Sequence, residues 1–391
     1  LRLMIDLAKG HDAVAMFIHT PQGEEKRKGK GKEKSEGTGR RLVVASGTGR
    51  GFIVEENADE ALPPASLTKI MTAYIAVEEI LSGNLRLDDE VHISEKAWRM
   101  EGSKMFVGVN TRVSVGDLLR GIIIQSGNDA SVAIAEHIAG SEEAFADMMN
   151  QYSEVLGLTS SFFMNSSGLD TELYYNTMSA RDLAILARAT ITRHGQYYPI
   201  YAEREFTYND IRQSNRNTLL FRDRNVDGMK TGWTDAAGYC LVASAERDGM
   251  RLISVVMGTA SEEARAIQTQ KLLTYGFRYF ETHKLYDANQ ILTNVPVFSG
   301  TQNAVDLGIS EEVYITIPRG QADAMTATVD VDEIIRAPLD KSQIMGVVRV
   351  VLSDNILYQG DVIAMQEVER GGVLKRFIDW LSLFFSDLFS G

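Results

Sequence analysis

A single cysteine, Cys240, leaves this chain of 391 residues without an internal disulfide framework. It sits in the strand-like run YCLVAS, where a small buried thiol is the simplest reading. Metal ligands are equally sparse. The six histidines are scattered, with no H-E-x-x-H or other paired spacing, so neither a metal site nor a cofactor is expected. No run of eighteen apolar residues occurs, which excludes an ordinary membrane-spanning helix. Positive charge is also short. Lys and Arg number 40 against 53 Asp and Glu, a formal net charge of -13, whereas nucleic-acid binding needs a basic footprint to displace phosphate counterions. No nucleic-acid partner is expected.

Apolar residues make up 44% of the chain, enough at this length for two domains with their own cores. Residues 1–40 are assigned to no domain and expected to be disordered. Acidic and polar residues interrupt Leu1 to Thr20, which does not read as a secretory signal, and the following EEKRKGKGKEKSEGTGRR is too polar to bury itself. Regular structure is expected from RLVVASGTGRGFIVEENAD, a hairpin around a Gly-rich turn. Pro63 and Pro64 then lead into a helix over Ser66 to Leu81, whose apolar residues recur every three or four positions. Further helices are expected over Val115 to Gln125, Asp129 to Ala139, Glu142 to Leu156, Ala180 to Thr192 and Gln268 to Glu281. GMKTGWT and GYCLVASAERDGMRLISVVMG read as strands, the latter a hairpin turning at Asp248-Gly249. Residues 41–283 thus form a sheet covered by helices, with both ends of the segment pairing in it. Residues 284–370 break into short strands, a small all-β domain. In residues 371–391, Leu374, Phe377, Ile378, Leu381, Phe384, Phe385 and Leu388 share one helical face, opposite Lys375, Arg376 and Asp379.

Three fragments carry the chemistry: SLTK at Ser66 to Lys69, SGN at Ser126 to Asn128, and KTG at Lys230 to Gly232. Each alone is weak, since Ser66 could cap its helix and Ser126 could cap the next. The S-x-x-K spacing sets Lys69 on the same helical face as Ser66. An alcohol becomes a useful nucleophile only when a base takes its proton. A lysine with a free pKa of about 10.4 serves only if burial, the helix N-terminus and a second cation, here Lys230, lower it.

Taken together with IRQSNRNTLL, KLLTYGFRYFET, VYITIPRG and the amphipathic end, these fragments resemble the penicillin-binding, active-site-serine enzymes. The resemblance is specifically to the low-molecular-mass D-alanyl-D-alanine carboxypeptidases, from about Phe52 to the C-terminus. It implies an α+β, β-lactamase-like catalytic domain followed by an all-β spacer domain. It further implies Ser66 as nucleophile, Lys69 as base, Ser126 passing a proton to the leaving amine, and Asn128 holding the substrate's amide. Lys230, Thr231 and Gly232 line the substrate, Gly232 offering a bare strand edge to an extended peptide. The backbone N–H groups of Ser66 and Trp233 would form the oxyanion hole, and Arg265 would meet the terminal carboxylate. Arg216 matches a further family position.

The implied substrate is a peptidoglycan pentapeptide, with β-lactams as covalent inhibitors. The implied location is the periplasmic face of the bacterial inner membrane, held peripherally by residues 371–391. Half-immersing seven large apolar side chains there gains on the order of 5 to 10 kcal/mol. Two departures bear on specificity: Trp233 stands where close relatives commonly carry histidine, and Ser167 where some relatives do. The alternatives are a serine β-lactamase, with Glu172 as the deacylating carboxylate, and a non-catalytic wall-binding scaffold.

Overall fold

Segments rich in Val, Ile and Ala build an antiparallel sheet of five strands, ordered Phe52–Glu56, Arg41–Ser46, Met250–Thr259, Gly238–Arg247 and Val226–Thr234. The computed structural model describes residues 3–6, 15–18, 41–46, 52–170, 175–332, 334–353 and 355–389. The two inner strands of the late hairpin are buried on both faces over most of their length, which is why LVASA and LISVVM run apolar without alternation. They turn at Asp248-Gly249, with Arg247 opposite Met250. Arg41–Ser46 pairs with both Phe52–Glu56 and Met250–Thr259, so the early hairpin and the late strands close one sheet. The helices Lys69–Leu81, Asn128–Ala139, Glu142–Leu156 and Ala180–Arg193 share a single buried apolar cluster with this sheet, including Ile70, Val132, Phe145, Leu183, Val242 and Ile253.

Four elements differ from the sequence reading, one being the helix expected over Gln268 to Glu281, which runs Glu262–Tyr279 and leaves Phe280 and Glu281 to the next strand. Leu3–Asp6 and Ala15–Ile18 form an antiparallel pair, where disorder was expected; LMID and AMFI are short apolar runs able to pair. The helix expected from Ser66 begins at Lys69, after a tight turn over Ala65–Thr68 in which Leu67 N–H donates to the Pro64 carbonyl at 3.1 Å. The single helix expected over Val115 to Gln125 is an α-helix, Val115–Arg120, that widens into a π turn, Gly121–Gln125, and stops at Ser126 in the left-handed region (φ 69°).

A second unit begins at Tyr279. Its first strand, Phe280–Tyr286, pairs with Val313–Pro318, so the expected boundary near His283 lies inside that strand. The main sheet has six strands, ordered Met325–Val331, Ile344–Leu352, Asn355–Ala364, Ala304–Gly308, Ile291–Phe298 and Ile335–Arg336. Val305, Leu307, Ile315, Ile317, Val348 and Val362 fill its core.

The terminal helix, Val373–Phe389, is anchored to this unit by a polar contact. Asp379, expected on the solvated face, is buried; it accepts the Ser299 N–H at 2.7 Å and the Lys375 ammonium at 2.8 Å. Leu374, Phe377, Ile378 and Trp380 remain more than half exposed. Burying the carboxylate turns the apolar side of the helix outward.

Candidate active site

The local turn sets the nucleophile. Consecutive prolines cannot donate to a preceding strand, and Ala65 takes a positive φ of 48° directly before Ser66. Ser66 caps nothing: the turn has no side-chain capping bond. Two glycines from distant segments press on this turn. A Cβ on Gly232 would lie 2.8 Å from the Pro64 carbonyl oxygen and 3.3 Å from Leu67 N; one on Gly168 would lie 1.9 Å from the Ala65 carbonyl oxygen. Gly232 is therefore required by close approach of its strand to the nucleophile turn, and that strand is also the edge of the five-stranded sheet, as the sequence suggested.

Lys69 is completely buried, and its Nζ reaches three oxygens: Ser66 Oγ at 3.0 Å, Asn128 Oδ1 at 2.7 Å and the Ser167 carbonyl at 2.5 Å. Burial pushes its pKa down to about 7, the Arg216 guanidinium adds to the effect, and Asp129 and Glu142 oppose it. Arg216 is thus a second cation acting on Lys69, and the expected repulsion between Lys69 and Lys230 is also present, lowering the Lys230 pKa. Lys230 is itself buried, its Nζ donating to the Thr231 carbonyl at 3.0 Å. Burial first, then Lys69, Arg216 and Arg265, push its pKa well below the ordinary lysine value.

Ser126 closes the π turn and is 2% exposed, and its Oγ has no hydrogen-bond partner among the described residues. A buried hydroxyl without a partner is costly and marks a site completed by something else. Asn128 opens the following helix. Besides receiving Lys69, it donates one Nδ2 hydrogen to the Glu101 carbonyl at 2.6 Å, leaving its second for a ligand.

Ser66, Ser126, Arg216, Thr231, Trp233 and Arg265 line one cleft of about 340 Å³. Trp233 is 51% exposed, and its ring lies 5.8 Å from that of Tyr239, its cross-strand partner. Arg265 is engaged within the protein: Nη1 donates to the Gly232 carbonyl at 3.3 Å, Nη2 pairs with Glu262 at 3.1 Å, and the guanidinium lies over Tyr239. Arg216 makes no hydrogen bond or ion pair with the described residues. Unpaired positive charge in the cleft therefore sits on Arg216, whereas Arg265, the residue the sequence singled out, is paired with Glu262.

The sequence reading missed the residues that hold these groups in place. The Asp129 carboxylate accepts N–H bonds from Met105 and Ala130 through one oxygen and from Phe106 and Val107 through the other, at 2.8 to 3.3 Å. It thereby fixes the loop along the cleft; its place beside SGN was the one available signal. Asn176 ties Met164 and Asn165 to Thr68, donating to the Thr68 hydroxyl at 3.0 Å. Ser103, Tyr239 and Glu262 also line the cleft, and nothing in the local sequence marks them. Glu172 lies outside the described residues.

The profile of the family described as D-alanyl-D-alanine carboxypeptidase matches residues 31–261, and that of the penicillin-binding protein 5 C-terminal domain matches residues 280–370. The D-alanyl-D-alanine carboxypeptidase DacC of Escherichia coli K12 is 43% identical over 345 residues, covering 86% of each chain. Penicillin binding protein 5 from Haemophilus influenzae superposes with a TM-score of 0.79 at 40% identity, covering 87% of this chain and all of that one. The ampicillin-bound penicillin-binding protein D2 of Listeria monocytogenes superposes with a TM-score of 0.57 at 30% identity, covering 61% of this chain and 97% of that one. With its catalytic unit and its β domain both matched, and identity above 40% along most of its length, the chain belongs to the D-alanyl-D-alanine carboxypeptidase family.

Proposed function

We propose that this enzyme removes the terminal D-alanine of peptidoglycan pentapeptides through an ester on Ser66, and that β-lactams acylate the same oxygen. The observation that carries the reading is the Lys69 amine, buried and 3.0 Å from Ser66 Oγ. A neutral amine has two N–H donors and one lone pair. Asn128 Oδ1 and the Ser167 carbonyl can only accept, so they take both N–H groups and leave the lone pair facing the serine hydroxyl. Lys69 then removes the Ser66 proton as the oxygen attacks the carbonyl between the two D-alanines.

The developing oxyanion is received by the backbone N–H groups of Ser66 and Trp233, donors of a kind that contributes about 3 to 4 kcal/mol each. Ser126 Oγ, without a hydrogen-bond partner among the described residues, relays the proton taken up by Lys69 to the departing D-alanine nitrogen, while Asn128 Nδ2 holds the amide of the peptide stem. The terminal carboxylate enters among Arg216, Arg265 and Thr231, and its charge favours the ammonium form of Lys230 that burial disfavours. Water then hydrolyses the ester. Mass spectrometry of the benzylpenicillin-treated protein tests the assignment: the adduct is expected on the Ser66 peptide and absent in Ser66→Ala, which also stops D-alanine release. An adduct on another residue refutes it.

The enzyme works at the periplasmic face of the inner membrane, with the terminal helix as a peripheral anchor. Support comes from the outward apolar face of Leu374, Phe377, Ile378 and Trp380. Lys375 is held by Asp379, which leaves Arg376 as the exposed cation of the first turns for anionic headgroups. No described helix is long and apolar enough to cross a membrane. Flotation with vesicles containing anionic phospholipid is expected for the full chain and lost on truncation after Gly371; equal flotation of both refutes the anchor.

A further inference from the structure

We propose that Glu142 is a positioning residue for the Lys69 amine, acting through Ser166 and never touching substrate. Glu142 opens the helix Glu142–Leu156, directly after its cap Ser141, and its side chain turns inward, leaving the residue 8% exposed. Both carboxylate oxygens are used. Oε1 accepts the Ser166 N–H at 3.1 Å and the Ser166 hydroxyl at 2.8 Å, and Oε2 lies 3.1 Å from the Lys96 ammonium. On its other side the Ser166 peptide gives its carbonyl to the Thr72 hydroxyl at 2.6 Å. Thr72 lies one helical turn beyond Lys69. The Ser166 peptide is therefore held between two helices, and the next carbonyl along the chain, that of Ser167, is the one that accepts from Lys69.

Asn165 Oδ1 steadies the same turn by accepting the Ser167 and Gly168 N–H groups at 3.2 and 2.7 Å. It holds the turn to itself, whereas Glu142 holds it to the body of the domain. A buried carboxylate is costly unless fully paired; here it is fully paired, and it holds the residue directly before the one whose carbonyl receives the amine. Its charge acts in the opposite sense to its hydrogen bonds. Glu142 and Asp129 favour the protonated amine, against burial and Arg216.

The inference rests on Lys69 being the base, and its test is the pH dependence of acylation by benzylpenicillin from pH 5 to 9, followed by stopped flow on the full chain. Glu142→Gln keeps an acceptor for Ser166 and loses the charge. Its plateau rate is expected within about threefold of wild type, with the acid limb displaced to lower pH. Glu142→Ala loses both, and its plateau is expected to fall about tenfold or more, with KM for a D-Ala-D-Ala-terminated pentapeptide unchanged. Ser166→Ala removes one hydrogen bond and no charge; its plateau should fall about threefold with the limb in place, and it substitutes for Glu142→Ala if that variant does not fold. A wild-type plateau in both alanine variants, or equal losses in Glu142→Gln and Glu142→Ala with an unmoved limb, overturns the inference. Failure of the wild-type protein to acylate would instead strike the reading of Ser66 and Lys69.

Discussion

The pH dependence of acylation follows from the burial of one amine. With the Lys69 pKa held at about 7, about half the molecules at pH 7 carry the neutral, proton-accepting form. At the ordinary lysine value of 10.5 the fraction would be about one in three thousand. Burial, aided by Arg216, thus supplies about a thousandfold in the population of the reactive form. The second-order rate of acylation by benzylpenicillin should rise about tenfold between pH 6 and pH 8 and then level off, since the neutral fraction climbs from about one-tenth to about nine-tenths. Arg216→Ala removes a neighbouring positive charge, so the amine holds its proton more tightly and the rise should move to higher pH. The same depression has a sign for stability. Between about pH 7 and 10 the unfolded chain binds a proton at this site that the folded chain releases, so stability gains with rising pH, on the order of 5 kcal/mol across the window from this group. A flat acylation profile between pH 6 and 8, or one still climbing above pH 9, would refute the assignment of Lys69 as the base.

Two further substitutions separate fold from chemistry. Gly232→Ala drives a methyl group to within 2.8 Å of the Pro64 carbonyl oxygen, so the nucleophile turn must shift; a loss of about 1 to 3 kcal/mol in thermal unfolding should accompany a much larger loss in the acylation rate. Asp129→Ala leaves the N–H groups of Met105, Phe106 and Ala130 without their acceptor. A destabilisation of about 3 kcal/mol or more is expected in urea unfolding, together with weaker substrate binding, because the untied loop carries Ser103 on the cleft.

The elements with strong local signals were readable from the chain alone. The helix Glu142–Leu156 has its Ser141 cap and a clear apolar stripe, and the Asp248-Gly249 hairpin joins two apolar strands. The three motifs marked Ser66, Lys69, Ser126, Asn128 and Lys230 because their chemistry depends on residue type and short spacing. What stayed hidden was set by distance. Ser167 bonds Lys69 across 98 positions and Asn176 bonds Thr68 across 108, and no local pattern records such pairs. The π turn before Ser126 was unreadable for a different reason: GIIIQ has the same apolar spacing in either helix type, and only the packing of the finished domain selects the wider one. The start of helix at Lys69 instead of Ser66 belongs with these, since the approach of Gly232 and Gly168 to the turn comes from segments far along the chain.

Those two glycines have a consequence for how the enzyme can change. The residues around the nucleophile are pressed by two backbone segments that leave no room for even a methyl group, so the attacking oxygen works as a fixed reference point. Adaptation to a new acyl donor has no slack to exploit there. Variation should collect instead on the exposed side chains of the cleft, chiefly the indole of Trp233. Lineages of this enzyme should therefore drift in what they accept long before they drift in how they react.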